Sequence, residues 1–538
     1  MNKRFPLALP LTLFLIGGLI GLWAAYDRSL GLPTVCALWG GAFVYAVLVW
    51  WCQRVEQLRM VSGVLVACAA LGTLLLFMQY RHLGFESKFG LSTMIGQITS
   101  APFPHVLRIP FQQNAAASFL ESAIPLACGL WLSSRGKRKH LWLGAALWIC
   151  TGVVLTASRG ALIALAGCAL VAGIAWLAGR QPRSVLVGLG IGAVALIVGV
   201  LLFIAGATLH VGPIESFIAR ASDRLAIYRN VSFLLSDVFY TGVGAGNTFA
   251  MIYARYVLLI QVPYLTYSHN LFLSVWLAQG ICGVIGLLLM SIEITRMAWY
   301  AGRSAIKPFW LGTTLGVFAL LVHGLIDSPQ YNADGWWTMI SAWAYLGVAV
   351  AGLRLAIPVT EGQPTAPNPK PRRPRIAFAA TLLVVLAILA RPAIALGFVN
   401  MGAITEAQAD LRPTLTPEER IAQIDSAKQW YQQALQLNPD QASALRHLGI
   451  RASNELHLAE AIKDLEHAWQ IAPTNQTTRK ALGYAYLWNG QVAEAVALFR
   501  NYERVAEIKQ ELETWAWWWG TQQRRDLANF AQAAAQKL

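Results

Sequence analysis

Charge is the scarcest property of this sequence. Only 13% of its 538 residues are charged, and 27 Asp and Glu stand against 42 Lys and Arg. A soluble domain carries about a quarter charged residues, so an ordinary globular enzyme is excluded. Cysteine is also sparse: there are seven, all in or at the ends of apolar runs and none at metal-ligand spacing. They read as small core hydrophobes, which excludes a disulfide framework or a zinc module. The glycine-rich run Gly242 to Gly246 lacks the Lys-Ser/Thr and preceding strand of a nucleotide loop, so it reads as a tight turn that brings backbone close to a site. The first apolar run, 7–25, lacks a small-residue cleavage site after it, so it is expected to be a retained span and not a signal peptide.

What is abundant is apolar. Hydrophobic residues make up 56%, and mean hydropathy is +0.49. Runs of about twenty apolar residues recur, each long enough to cross a bilayer. They predict eleven spans, at 7–25, 32–51, 60–80, 114–132, 141–157, 160–178, 184–207, 270–293, 309–328, 335–353 and 376–399. With the N-terminus cytoplasmic, the segments placed inside hold eighteen Lys and Arg before the tail. Those placed outside hold nine: Arg28, Arg81, Lys88, Arg108, Arg159, Arg220, Arg224, Arg229 and Arg255. Arg391 falls inside the last span and is in neither set. This bias orients the chain, and it also accounts for the net charge of +15 without nucleic acid. The loops 81–113 and 208–268 and the turn at Arg159 then share a periplasmic or extracellular face. Nucleotide sugars are normally absent there, so chemistry on that face needs a substrate already activated. The Pro-rich basic stretch Pro364 to Arg375 reads as a cytoplasmic linker before the last span.

From about Glu406 the composition turns polar and repeats. At a shift of 34 residues Ala427 falls on Ala461, Pro439 on Pro473, Leu448-Gly449 on Leu482-Gly483, and Ala459-Glu-Ala461 on Ala493-Glu-Ala495. A 34-residue period with small and Pro positions in this pattern is the tetratricopeptide signature. The expected fold class is therefore all-α: a polytopic membrane helix bundle over 1–400, with a large outer loop 208–268, and a helical repeat domain over 401–538 placed outside the cytoplasm. The Trp-rich end, Trp515 and Trp517 to Trp519, has two open roles: capping the repeat stack, or touching the membrane interface.

The stretch from Arg224 to Gly286 carries the most chemistry. Arg224 is followed four residues on by Tyr228. The turn Thr241-Gly-Val-Gly-Ala-Gly-Asn-Thr-Phe249 comes next. His269-Asn270 then opens an apolar run that contains Gln279-Gly280 and Gly283. Upstream lie Phe111-Gln-Gln-Asn-Ala115 and Thr156-Ala-Ser-Arg-Gly160; downstream lies Val322-His-Gly-Leu-Ile-Asp-Ser-Pro329. In this order, over roughly residues 100–350, these elements resemble the O-antigen ligase and polymerase family of membrane glycosyltransferases. The resemblance implies a GT-C-like membrane enzyme that moves a glycan from a polyprenyl (undecaprenyl) diphosphate carrier to an acceptor hydroxyl. It implies this for the non-cytoplasmic face, with no cofactor and no metal, and with inversion at the anomeric carbon.

The residue chemistry fits that expectation. A lipid diphosphate leaving group calls for multidentate cations, which arginine supplies better than lysine. Arg159, Arg224 and Arg255 are the candidates. The acceptor hydroxyl must lose a proton, and histidine is the usual base near neutrality. His269, at the boundary between loop and span, is the first choice, with Arg224 as its cationic partner. Gln113, Asn114, Asn270, His323 and Asp327 are candidate supports. Each also has a plainer role open to it. Arg159 suits a snorkelling loop arginine, Arg224 a surface ion pair with Asp223, and His269 a polar cap on the next span. Gln113 and Asn114 suit helix caps. His323 and Asp327, four apart and so on one helix face, suit a mutually satisfied pair.

Within the transferase reading, a ligase uses a lipid A core sugar, a polymerase a second lipid-linked glycan, and a protein O-oligosaccharyltransferase a Ser or Thr. A lipid-linked glycan transporter or flippase is the alternative of another class, and an assembly scaffold a third. A flippase is expected to carry polar groups along several spans and internal repeats, whereas here the polar residues collect on one face. The repeat tail offers a concave surface for a protein partner or acceptor.

Overall fold

The computed structural model describes residues 7–85, 90–103, 109, 112–178, 212–301, 307–331, 336–356 and 373–538. Long apolar runs with few breakers make helices, and among the described residues no strand interrupts them. In order these are α1 (Ala8–Ala24), α2 (Arg28–Trp51), α3 (Val55–Gln79), α4 (Gly90–Ser100), α5 (Gln113–Ser133), α6 (Lys137–Thr156), α7 (Arg159–Ala178) and α8 (Gly212–Asp237). The short α9 (Phe249–Ile252) follows, then α10 (Leu271–Ala301), α11 (Lys307–Gly324), α12 (Trp336–Ala356) and α13 (Arg373–Leu411). The tail adds α14 (Pro417–Leu437), α15 (Ala442–Asn454), α16 (Leu458–Ile471), α17 (Gln476–Trp488), α18 (Val492–Arg500), α19 (Val505–Thr521) and α20 (Arg525–Lys537).

Six of the described helices are long and apolar enough to cross a membrane, and α1, α7 and α11 provide shorter apolar stretches. The expected span 184–207 lies outside the described residues. The expected span 309–328 ends sooner as a helix: α11 stops at Gly324, and Leu325 to Asp327 form a turn closed by the amides of Ile326 and Asp327 on the His323 carbonyl, both at 2.9 Å.

The chain forms two compact units. The first comprises Met1–Leu22, Gly31–Leu225 and Tyr267–Gly362; the second comprises Trp23–Leu30, Ala226–Thr266 and Gln363–Leu538.

The first unit is a helix bundle turned inside out in polarity. Phe43 (70% exposed) and Trp50 (65%) point outward, whereas Glu121, Ser122 and His323 are wholly buried. Lipid tails are as apolar as leucine, so close packing and internal hydrogen bonds hold such helices together. Gly129 and Gly312 let α5 and α11 touch backbone to backbone; a β-carbon on Gly312 would lie 2.9 Å from the Gly129 Cα.

The second unit gathers the loop from Ala226, α13 and the repeats. The 34-residue register survives in three dimensions. A β-carbon on Gly449 would meet Leu465, and one on Gly483 would meet Phe499, the same pair one repeat later. The turns match as well: Leu456 and Gly490, 34 apart, both have positive φ (60° and 82°). Asn475 caps α17 by accepting from the Thr477 and Thr478 amides, and Thr416 with Glu419 forms a capping box on α14.

The glycine-rich turn belongs to this second unit. Gly244 has φ 111°, and a β-carbon there would sit 2.5 Å from the Ala25 Cα. The run does serve close backbone approach, and its neighbour is Ala25. The same turn is pinned by Asn400, whose Oδ1 accepts from the amides of Tyr240 (2.9 Å) and Thr241 (3.2 Å).

Candidate functional site

His269 is placed by its neighbours on both sides. Asn270 caps α10, its Oδ1 accepting from the Phe272 (3.0 Å) and Leu273 (3.1 Å) amides. Its amide group donates across to the Leu325 carbonyl at 3.0 Å. His269 itself has φ 54°, a left-handed conformation that a side-chain-bearing residue holds only when its surroundings over-determine it. The result aims the imidazole at Asp327, with Nδ1 3.3 Å from Oδ1. The Tyr267 ring covers it at a centroid distance of 4.4 Å. The histidine side chain is 26% exposed and the aspartate 2%.

Asp327 is held in turn. The Ser328 amide donates to Oδ1 at 2.8 Å, and the Asn114 amide group donates to Oδ2. Asn114 accepts from the Ser158 hydroxyl at 2.9 Å. Gln113 beside it donates to the Thr156 carbonyl at 2.6 Å. Gln113 and Asn114 therefore do not serve as caps. They tie the start of α5 to the turn between α6 and α7, and that turn depends on Ala157 at φ 50°. Arg159 and Gly160 open α7 from this turn. Arg224 reaches the same place from α8, donating through Nη1 to the Ile326 carbonyl at 2.5 Å.

His323 and Asp327 do not pair with each other, because α11 ends between them. Asp327 turns to His269 and Asn114. His323 turns inward to Glu121, with Nδ1 2.9 Å and 3.0 Å from the two carboxylate oxygens and both side chains fully buried. Its Nε2 has no hydrogen-bond partner among the described residues. A β-carbon at position 160 would lie 2.5 Å from that atom, so the Ser158-Arg-Gly160 turn needs glycine for steric reasons.

The fold thus assembles Gln113, Asn114, Arg224, His269, Asn270, His323 and Asp327 around one turn in the first unit, with Arg159 leading the helix that starts there. Arg255 lies in the second unit. A wider-wound turn, Tyr253–Val257, presents it, and its Nε donates to Asp410 at 2.9 Å. Glu121 was not among the residues expected from sequence. Its signal was available as a lone carboxylate inside the apolar run 114–132, the sort of residue that marks function within a membrane segment. Ser158 and Tyr267 carried no such signal.

An imidazole of partial exposure, oriented by a buried carboxylate that is itself oriented by an amide, has the arrangement of a general base with its positioning group. A guanidinium with several donors stands at the same turn.

Residues 144–288 match the family model described as O-antigen ligase. That segment includes Arg159, Arg224, Arg255, His269 and Asn270, and leaves Gln113, Asn114, His323 and Asp327 outside. Residues 457–505 match a tetratricopeptide repeat. No curated protein matches the chain. The chain thus carries a segment similar to O-antigen ligases and a tetratricopeptide repeat, beside six described helices long and apolar enough to cross a membrane.

Proposed function

We propose that this protein transfers a glycan from a polyprenyl diphosphate carrier to an acceptor hydroxyl, as a ligase in surface polysaccharide biosynthesis, on the non-cytoplasmic face of a bacterial inner membrane. The observation that carries the reading is the His269–Asp327 pair at 3.3 Å, with Arg224 donating to the adjacent Ile326 carbonyl.

Nδ1 of His269 faces Asp327, so Nε2 takes the acceptor proton. The acceptor oxygen attacks the anomeric carbon from the side opposite the diphosphate. The bond from that carbon to the diphosphate oxygen breaks, and the electron pair leaves with the polyprenyl diphosphate. The anomeric centre is inverted. Negative charge grows on the leaving group, where Arg224 and Arg159 stabilise it more strongly than in the ground state. Asp327 stabilises the imidazolium that forms and holds the ring in one tautomer, as the carboxylate of a catalytic triad does. Arg255, paired with Asp410, is assigned no part in this step.

Purified protein incubated with polyprenyl-diphosphate glycan and a lipid A core acceptor is expected to release polyprenyl diphosphate. Release should vanish in His269→Ala and Arg224→Ala. Unchanged turnover in both variants would sink the site assignment. A deletion strain separates ligase from polymerase: accumulated full-length lipid-linked glycan marks a ligase, whereas single-unit lipid with long chains lost marks a polymerase. Reporter fusions after α5 and after α7 test the orientation.

A further inference from the structure

The second unit contains a cleft of about 480 Å³, within the usual range of about 300–1,000 Å³ for ligand sites. Its two walls differ. One is aromatic. Trp515, Trp518 and Trp519 stand three and four residues apart on α19, hence on one face, and Trp488 from the end of α17 meets them. Trp515 and Trp519 lie with ring centroids 6.1 Å apart and planes 26° from parallel, while Trp488 stands edge-on to both. Trp515 is 36% exposed and Trp518 38%. The indole N–H of Trp519 is buried with no hydrogen-bond partner among the described residues.

The opposite wall is polar and charge-balanced. Arg255 and Arg451 face Glu406 and Asp410, and the ions already satisfy one another: Arg255 with Asp410 at 2.9 Å, Arg451 with Glu406 at 2.5 Å and also with Asp410. The side-chain amides of Asn454 and Gln261 add donors and acceptors.

This pairing of walls selects a chemistry. An anion is disfavoured, because both guanidinium groups are neutralised by carboxylates. A purely apolar ligand would bury the ionic wall without replacing its water. A ligand that presents a flat face of C–H groups to the indoles and a fringe of hydroxyls, each both donor and acceptor, suits both walls. Ring C–H groups carry slight positive charge and sit well on the negative face of an aromatic ring. A neutral sugar ring has that composition.

We propose that this cleft in the tail is a binding site for a short, uncharged oligosaccharide, separate from the cluster around His269. The choice of ligand draws support from the ligase-type reading of the chain; the place and chemistry of the cleft do not depend on it. The repeat tail and residues 255–261 together form the walls that take hold of the glycan.

The test uses the full-length protein in detergent on an array of neutral and acidic bacterial oligosaccharides without lipid, alongside a proline-rich peptide, which is the other ligand that aromatic grooves accept. Wild-type protein should retain neutral oligosaccharides. Trp515→Ala and Trp518→Ala should each weaken retention about tenfold or more while the melting temperature holds. Should Trp518→Ala fold poorly, Asn454→Ala at the polar wall supplies the second measurement. His269→Ala should retain oligosaccharide as the wild type does, so failure of the transfer mechanism and failure of the cleft are told apart. Retention of no oligosaccharide, retention unchanged by all three cleft substitutions, or retention of the peptide alone would each overturn the proposal.

Discussion

Each unit of this protein builds a polar cluster around histidine and carboxylate, and the two clusters are finished differently. In the second unit His447 is clamped between Glu406 (2.6 Å) and Asp237 (3.3 Å), with its side chain 4% exposed. Arg446 and Arg451 complete the charge balance, the Tyr431 ring stacks on the imidazole at 4.9 Å, and the Tyr431 hydroxyl donates to Glu406 at 2.7 Å. In the first unit His269 faces Asp327 at 3.3 Å, and its side chain is 26% exposed. A histidine closed in by two carboxylates and an aromatic face cannot receive a proton from a ligand. One oriented by a single carboxylate and open to its surroundings can. Burial marks a fastener, and exposure marks a candidate reagent.

The sharpest way to break this contrast is to remove each histidine's chemistry in turn. His269→Ala should lower polyprenyl diphosphate release by about 10²–10⁴-fold, the usual contribution of a general base, with little change in melting temperature; equal losses of activity and stability would make His269 a fastener too. In the second unit Arg446→Ala strands the buried Asp237 carboxylate, and loss of one partner of a buried pair costs about 3–5 kcal/mol. Limited proteolysis of residues 226–266, followed by mass spectrometry, should show that segment cut much faster.

The third effect is smaller and depends on pH. Burial opposes charge on His447, but Glu406 and Asp237 outweigh it and hold the imidazole up to about 9, from an ordinary 6.5. A folded value raised above the unfolded one stabilises fully below about 6.5, and the contribution is lost as pH rises through about 9. Glu406 acts at the other end: burial raises it, yet Arg451 and His447 hold it well below its ordinary 4.5, so its contribution fades only in strong acid. Between pH 7 and 9 the second unit should lose about 2 kcal/mol, seen as a falling melting temperature, and His447→Gln should flatten that slope. The least effect is expected from Gly160→Ala, which forces a methyl group against His323 at a cost of about 1–2 kcal/mol. Thermal unfolding of the variant should show it as a fall of a few degrees in melting temperature.

Local pattern made much of this readable in advance. The described apolar runs became helices because their lengths match a bilayer and few breakers interrupt them. The 34-residue repeat fixed which small residues meet which neighbours, so Gly449 and Gly483 could be paired without coordinates. The boundary between loop and span pointed to His269 because an ionisable group is costly at that depth and histidine is the usual base near neutrality. What stayed hidden depends on distance along the chain. Asn114 meets Asp327 across 213 residues, and Arg224 meets Ile326 across 102; no periodicity links such positions. The pairing of His323 with Asp327 failed for a local reason, since the helix that would have aligned them ends at Gly324. Arg255 shares its expected face with Arg159 and Arg224, but its counter-ion, Asp410, is 155 residues downstream.

The second unit is also discontinuous in the chain, and that sets a schedule for its assembly. Asp237 and its partner Arg446 are separated by 209 residues. At roughly 5–20 residues per second of synthesis, about 10–40 s pass between the emergence of one and the arrival of the other. For most of that interval the glycine turn after Asp237 has been made, while Asn400, which pins the turn, and Arg446, which neutralises the carboxylate, are still to come. Nascent chains arrested just before residue 400 should therefore expose this loop to protease, and chains released after residue 451 should not.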